Sequence, residues 1–198
     1  MAGTIDYYDQ NAESFIAGTV AVDFHETQEK FLAFLPKKAR ILDFGCGSGR
    51  DTAYFHRKGY LVEAVDGSAK MCESASRYAK IPVRQMLFQD LEERNRYDGI
   101  WACSSILHLR LQELKEVMER MLRALRGNGV IYTSFKYGEF EGVRRGRYYT
   151  DFTEESFGRF LEAFDGVCIT ECWVTGDVRQ GRGEERWLNL ILQKSDIH

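Results

Sequence analysis

Arg40-Ile-Leu-Asp-Phe-Gly-Cys-Gly-Ser-Gly-Arg50 decides how the chain is read: an apolar strand runs directly into glycines at 45, 47 and 49. Glycine here lets the backbone turn sharply at the end of a parallel strand and approach a ligand where a Cβ would collide. Asp43 stands just before the turn. The spacing Gly-x-Gly-x-Gly differs from the Gly-x-Gly-x-x-Gly that seats a pyrophosphate on a helix N-terminus, so a nicotinamide dinucleotide is disfavoured. Further on, Leu61-Val-Glu-Ala-Val-Asp66 is a second apolar strand ending in a carboxylate. A carboxylate at that place accepts hydrogen bonds from both ribose hydroxyls, and with the loop it predicts a ribonucleoside ligand.

Outward from this pair, short apolar runs alternate with amphipathic stretches, the pattern of a parallel sheet with crossover helices. Strands are predicted at 39–45, 60–66, 83–88, 97–105 and 130–135. Helices are predicted at 50–58, from the N-cap Ser68 to Ala79, and at 111–125, the last ended by Gly127-Asn-Gly129. Residues 136–152 read as a polar, aromatic loop over the strand ends. Thr153 with Ser156 has the form of a capping box for a helix reaching Phe164. Val167–Val174 and Trp187–Gln193 read as an antiparallel hairpin. Residues 5–35 hold two helical pieces before Pro36.

At 198 residues the chain is long enough for one well-cored domain and short for two. With 44% hydrophobic and 29% charged residues the composition is globular, and no repeat or low-complexity run is visible. Lacking a basic segment followed by an apolar one, and any long uncharged apolar run, the sequence predicts a soluble, cytoplasmic protein without a membrane partner. A net charge of −3 gives no general attraction to nucleic acid, which leans the reading toward a small-molecule substrate. The cysteines (Cys46, Cys72, Cys103, Cys168 and Cys172) are odd in number and contain no Cys-x-x-Cys pair, so reduced thiols are expected. Cys168 and Cys172 would share a strand face, where packing is a better reading than a metal site; no metal is predicted.

Ile41-Leu-Asp-Phe-Gly-Cys-Gly-Ser-Gly49, Val65-Asp66 and Gln89-Asp90-Leu91 resemble, in order and spacing, the first three cofactor motifs of class I S-adenosylmethionine (AdoMet) methyltransferases. The likeness covers roughly residues 36–137; the small size and the Gly45–Asp51 loop are also similar to the tellurite-resistance subgroup. The resemblance implies an α/β, Rossmann-like sheet of seven strands in the order 3-2-1-4-5-7-6, the last antiparallel, with helices on both faces. It also implies an N-terminal helical lid at 1–36 before a single methyltransferase domain at 37–198, and AdoMet as cofactor. By resemblance Asp43 orients the loop and the amino end of the cofactor, and Gly45, Cys46 and Gly47 lie against it. Asp66 holds the ribose, Asp90 and Leu91 meet the adenine, Gly67 and Met71 are further contacts, and Tyr8 closes over the methionine end.

AdoMet already carries an electrophilic methyl group, so such a protein mainly holds a nucleophile in line behind it. The fourth strand's edge, Ala102-Cys-Ser-Ser105 and on to His108, is where the reacting atoms meet in this fold. The only prolines are Pro36 and Pro82. The Pro-Pro-aromatic signature of DNA and glutamine amino-methyltransferases and the Pro-Cys nucleophile of pyrimidine C5 enzymes are therefore both absent. Cys103 is accordingly read as packing rather than as a covalent catalyst, and by the resemblance it is counted among the cofactor contacts. His108 is either a general base for a hydroxyl or thiol, or a histidine that only shapes the pocket. Arg144, Arg147, Tyr149 and Arg182 are the candidate substrate contacts, an anion clamp if the arginines converge and solvated charges balanced by Glu184 and Glu185 if they do not. The expected activity is AdoMet-dependent methyl transfer to a small-molecule, anionic acceptor. The alternatives are methylation of tRNA or another RNA, and AdoMet binding without turnover.

Overall fold

Strand β1 (Arg40–Phe44) is buried on both sides, as a central parallel strand must be. It pairs in parallel with β2 (Leu61–Asp66) and with β4 (Tyr97–Ala102), placing Asp43 beside Ala64 and Trp101. The computed structural model describes residues 2–179 and 184–195. Outside β2 lies β3 (Val83–Gln85); beyond β4 come β5 (Leu125–Lys136), β9 (Arg186–Lys194) and β8 (Val167–Gly176). The sheet order is β3-β2-β1-β4-β5-β9-β8, with β9 antiparallel to both of its neighbours. With the separate hairpin of β6 (Glu141–Arg144) and β7 (Arg147–Thr150) set aside, this is the predicted order with its last strand antiparallel.

The two faces of the sheet are covered by different helices. Ile41, Trp101, Tyr132 and Ile191 pack with Phe31 of α3 (His25–Leu32) and Phe55 of α4 (Arg50–Arg57), and Trp101 stacks on Tyr132 at 4.0 Å. Leu42, Phe44, Ile100 and Ile131 face the other way. There they meet Leu114, Val117, Met118 and Met121 of α6 (Leu111–Ala124) and Phe157 and Phe160 of α7 (Glu154–Leu161). The helix α5 (Ala69–Ala79) starts as expected at Ser68, whose hydroxyl accepts the Met71 amide. The Thr153/Ser156 capping box forms at the start of α7. No helix among the described residues is long and apolar enough to cross a membrane.

Several boundaries differ from expectation. The third strand stops at Gln85, and Phe88–Asp90 is a 3₁₀ turn. The fourth stops at Ala102, because Ser104 takes a left-handed conformation (φ 51°), and a 3₁₀ turn follows at Ile106–His108. Strand β5 starts at Leu125, so Gly127-Asn128-Gly129 lies within it, and α7 ends at Leu161. The N-terminal segment forms three helices instead of two: α1 (Ala2–Gln10), α2 (Ala12–Thr19) and α3. Residues 136–152 are not a plain loop. They carry β6 (Glu141–Arg144) and β7 (Arg147–Thr150), joined by a tight turn in which Arg145 and Gly146 both have positive φ, as two-residue hairpins require. Cys168 and Cys172 are exposed on the edge strand β8, which corrects the packing assignment.

Candidate active site

The loop after β1 is held from below and pinned from the side. The Gly45 and Cys46 amides both donate to the Val65 carbonyl oxygen, at 2.9 and 3.0 Å. Gly45 has φ 87°, and a Cβ there would lie 2.5 Å from Ser105 Cβ and 3.1 Å from the Phe88 ring. Gly49 serves a different purpose, since its Cβ would lie 2.9 Å from Ala75 and would push α5 off the start of α4. At the tip of β2, Asp66 Oδ2 accepts the Gly47 amide and Oδ1 accepts the Ser68 amide, each at 2.9 Å. Burial raises the Asp66 pKa, and these backbone bonds oppose the rise.

Above the loop opens a crevice of about 690 Å³. Tyr8, Gly45, Cys46, Gly47, Asp66 and Gly67 line it, as do Met71, Cys103, His108, Arg144, Arg147 and Tyr149. Asp43, Asp90 and Leu91 do not. Asp43 is buried beneath the loop, where it accepts the Thr52 hydroxyl, and burial together with the Asp51 charge raises its pKa. It can brace the loop but does not reach the cofactor side. The 3₁₀ turn after β3 points Asp90 outward and buries Leu91 in the core. Met86, Leu87 and Phe88 line the crevice in their place. Their signal was an apolar triplet at the end of a strand beside two acidic tips. Arg182 lies outside the described residues.

At the opposite end the polar groups form one directional chain. His108 Nδ1 is 2.7 Å from the Tyr148 carbonyl oxygen, which can only accept, so Nδ1 carries the proton. Nε2 therefore accepts from the Tyr8 hydroxyl at 2.9 Å, and Arg147 donates to that same hydroxyl at 3.3 Å. Burial lowers the His108 pKa to about 4 and raises that of Tyr8 to about 12, so both are neutral near pH 7. The folded His108 thus resists protonation more than the unfolded one, whose ordinary value is 6.5. Stability from this group is complete above about pH 6.5 and is lost as pH falls toward 4. Chemical denaturation across that window should show the acid-side loss, and His108→Gln should flatten it; an unchanged slope in the variant would contradict the burial argument.

Arg50, also missed from the sequence, lies on the crevice wall next to Cys103 and pairs through two nitrogens with Asp51. Asp51 is further bound by Gln28 and by the Trp101 indole, which ties α3, α4 and β4 together behind the loop.

Comparison with known proteins follows this geometry. Residues 41–129 match the family model described as a methyltransferase domain. The match spans β1, the glycine loop, Asp66 and β4. The matched stretch is similar to a methyltransferase domain, and the sheet around it has the strand order expected of that fold. A Bacillus subtilis (strain 168) protein named "Putative methyltransferase YqeM" is 31% identical over 120 residues, 54% of this chain and 48% of that protein. The chain thus spans about half the length of the curated relatives it matches. Among solved structures, the Burkholderia thailandensis 1,6-didemethyltoxoflavin-N1-methyltransferase with bound 1,6-didemethyltoxoflavin and S-adenosylhomocysteine superposes with a TM-score of 0.78 at 22% identity, covering 98% of this chain and 88% of that one. The [4+2]-cyclase SpnF superposes with a TM-score of 0.74 at 15% identity, over 96% and 94%. At these identities the likeness is one of fold.

The cofactor of class I methyltransferase domains is AdoMet, and the crevice suits its adenosine part. A carboxylate tip with unused lone pairs meets the need of two ribose hydroxyls, and Met71 with Phe88 supplies apolar surface for a flat ring. The glycine turn leaves room where a Cβ at position 45 would intrude. At the end of the crevice lined by Arg147, Arg144 pairs with both oxygens of Asp151, Arg179 pairs with Asp177, and Lys136 pairs with Glu185. Arg144 and Arg179 are thus neutralised locally, whereas Arg147 has no carboxylate partner among the described residues.

Proposed function

We propose that the protein transfers a methyl group from AdoMet to a small-molecule acceptor with acidic character. The observation that carries this reading is the Asp66 carboxylate, fixed by the Gly47 and Ser68 amides and facing a crevice that Gly45 keeps open. In this reading Asp66 accepts from the ribose hydroxyls, Met71, Leu87 and Phe88 flank the adenine, and the backbone at Gly45, Cys46, Gly47 and Gly67 lies along the nucleoside. Tyr8 and Cys103 border the methionine side. Helices α1 and α2, which bring Tyr8, Phe15 and Thr19 onto the crevice, act as the cover of an N-terminal segment ending near residue 36.

When bound, the cofactor supplies a methyl group on a positively charged sulfur. The chain's own part is to exclude water with the cover, hold the acceptor against the β4 edge, and keep the nucleophile aligned. Arg147, Tyr149 and Arg144 form the acceptor side. That 1,6-didemethyltoxoflavin-N1-methyltransferase shares this fold supports a small heterocyclic or aromatic acceptor. The fold shared with a cyclase supports a second reading, a crevice that binds without methyl transfer.

Incubation with methyl-labelled AdoMet and fractionated cell extract separates these readings. Label in the small-metabolite fraction, with matching S-adenosylhomocysteine, is the expected result. Label in RNA would replace the acceptor class, and cofactor binding with no label in any fraction would favour the second reading.

A further inference from the structure

Of the described cations lining this end of the crevice, Arg147 and Arg186 have no ion-paired carboxylate, and Arg147 is the half-buried one of the two, Arg186 being exposed against Tyr137. Arg144, Arg179, Lys136 and Arg50 each have a carboxylate partner within the chain. Among the described residues no carboxylate lies within ion-pairing distance of Arg147, which faces Tyr7 and Tyr8 of α1 and Tyr149 of β7, at 4.6, 5.7 and 5.4 Å from the ring centroids. Its Nε is buried with no hydrogen-bond partner, and NH1 donates to the Tyr8 hydroxyl. Next to it, His108 is neutral and has both ring nitrogens engaged. A half-buried guanidinium with unfilled donors and no counter-charge is costly, and an anion delivered to it recovers that cost.

We infer that the acceptor is a weak O–H, N–H or S–H acid bound as its anion on Arg147, so that the methyl-accepting atom is ionised by this charge and not by His108. This rests on the AdoMet reading above. The acceptor's proton leaves to solvent on binding. The anion's lone pair then forms the bond to the methyl carbon as the carbon–sulfur bond breaks, with that electron pair remaining on sulfur. The guanidinium is consumed by nothing and serves only to favour the charged form. Tyr8, whose hydroxyl points its proton at His108, presents its remaining lone pair to Arg147 and positions it; His108 fixes that direction through the Tyr148 carbonyl. Aliphatic amines, which are cations near pH 7, are disfavoured as acceptors because the same guanidinium repels them.

The test uses the full chain saturated with S-adenosylhomocysteine and two chromogenic acids, 4-nitrophenol and 7-hydroxycoumarin. Absorbance of the anion against pH gives the ionisation of the bound probe. At least one probe should bind and ionise about 1 pH unit lower than in water, a tenfold preference for the anion, as expected for a cation close by. Arg147→Gln should erase the shift, Arg147→Lys should keep part of it, and His108→Gln should retain it. Thermal melting checks that each variant is folded. Binding of neither probe, an unshifted ionisation, or a shift lost in His108→Gln and kept in Arg147→Gln would overturn the inference. S-adenosylhomocysteine affinity should change by less than threefold in Arg147→Gln; a tenfold loss would place the cofactor's carboxylate on Arg147 and overturn it too. If S-adenosylhomocysteine fails to bind the unaltered protein, the cofactor reading falls first and the inference with it.

Discussion

Gly45→Ala should lower stability by about 2 to 5 kcal/mol and abolish measurable AdoMet binding. The methyl group would sit 2.5 Å from Ser105 Cβ, and the residue would have to keep φ 87°. A left-handed alanine costs about 1 to 2 kcal/mol, and forcing a methyl into a packed site about 1 to 3 more. Neither neighbour yields readily. The Ser105 hydroxyl donates to the Phe44 carbonyl oxygen at 2.6 Å, and the Phe88 ring packs on Phe44 at 4.7 Å. The loop itself must therefore shift, carrying the Gly47 amide away from Asp66. Thermal melting and calorimetry read the two effects separately, and a variant that melts and binds like the parent would contradict the close approach on which the crevice depends.

Asp66→Ala tests the other half of the site and should behave in the opposite manner, losing affinity while keeping the fold. Burial holds the Asp66 pKa above its ordinary value, which means the ionised side chain is retained there at a cost to the empty protein. Removing it leaves the Gly47 and Ser68 amides without their acceptor but relieves that cost. Charge-assisted hydrogen bonds contribute about 1.5 to 3 kcal/mol, so AdoMet affinity should fall roughly 10- to 150-fold. Asp66→Asn, which keeps one accepting oxygen, should fall between. A melting temperature that collapses in Asp66→Ala, with affinity unchanged, would turn the residue into a loop brace and remove the ribose contact.

What was legible in the sequence was whatever local chemistry specifies strongly. The glycine turn after β1, the acid at the tip of β2 and the Ser68 cap each depend on a few adjacent residues, and each stands where expected. The hairpin β6–β7 was not legible because its turn puts Arg145, a residue without the usual Asn or Asp turn chemistry, into a left-handed conformation. The roles of Met86, Leu87 and Phe88 were not legible for a similar reason: where β3 ends is decided by its pairing with β2 at Asp66 and Gln85, and the turn after it puts these residues, and not Asp90 or Leu91, on the crevice. The arginines show the limit most clearly. Arg144 and Arg147 face each other across the hairpin, yet the neighbours brought to them differ: Asp151 pairs with Arg144, and Tyr7 and Tyr8 of α1 pack on Arg147. No spacing rule separates them, and the inferred ionisation of the acceptor rests on that difference.

The central claim is that the crevice above Gly45 and Asp66 binds the adenosyl cofactor. Calorimetric titration of the unaltered protein with S-adenosylhomocysteine, and with NADH as control, tests it most directly. One site occupied by S-adenosylhomocysteine, no heat from NADH, and binding sharply weakened in Asp66→Ala is the result the account predicts. A folded protein that takes up no S-adenosylhomocysteine at millimolar concentration, or binds NADH equally well, would contradict it.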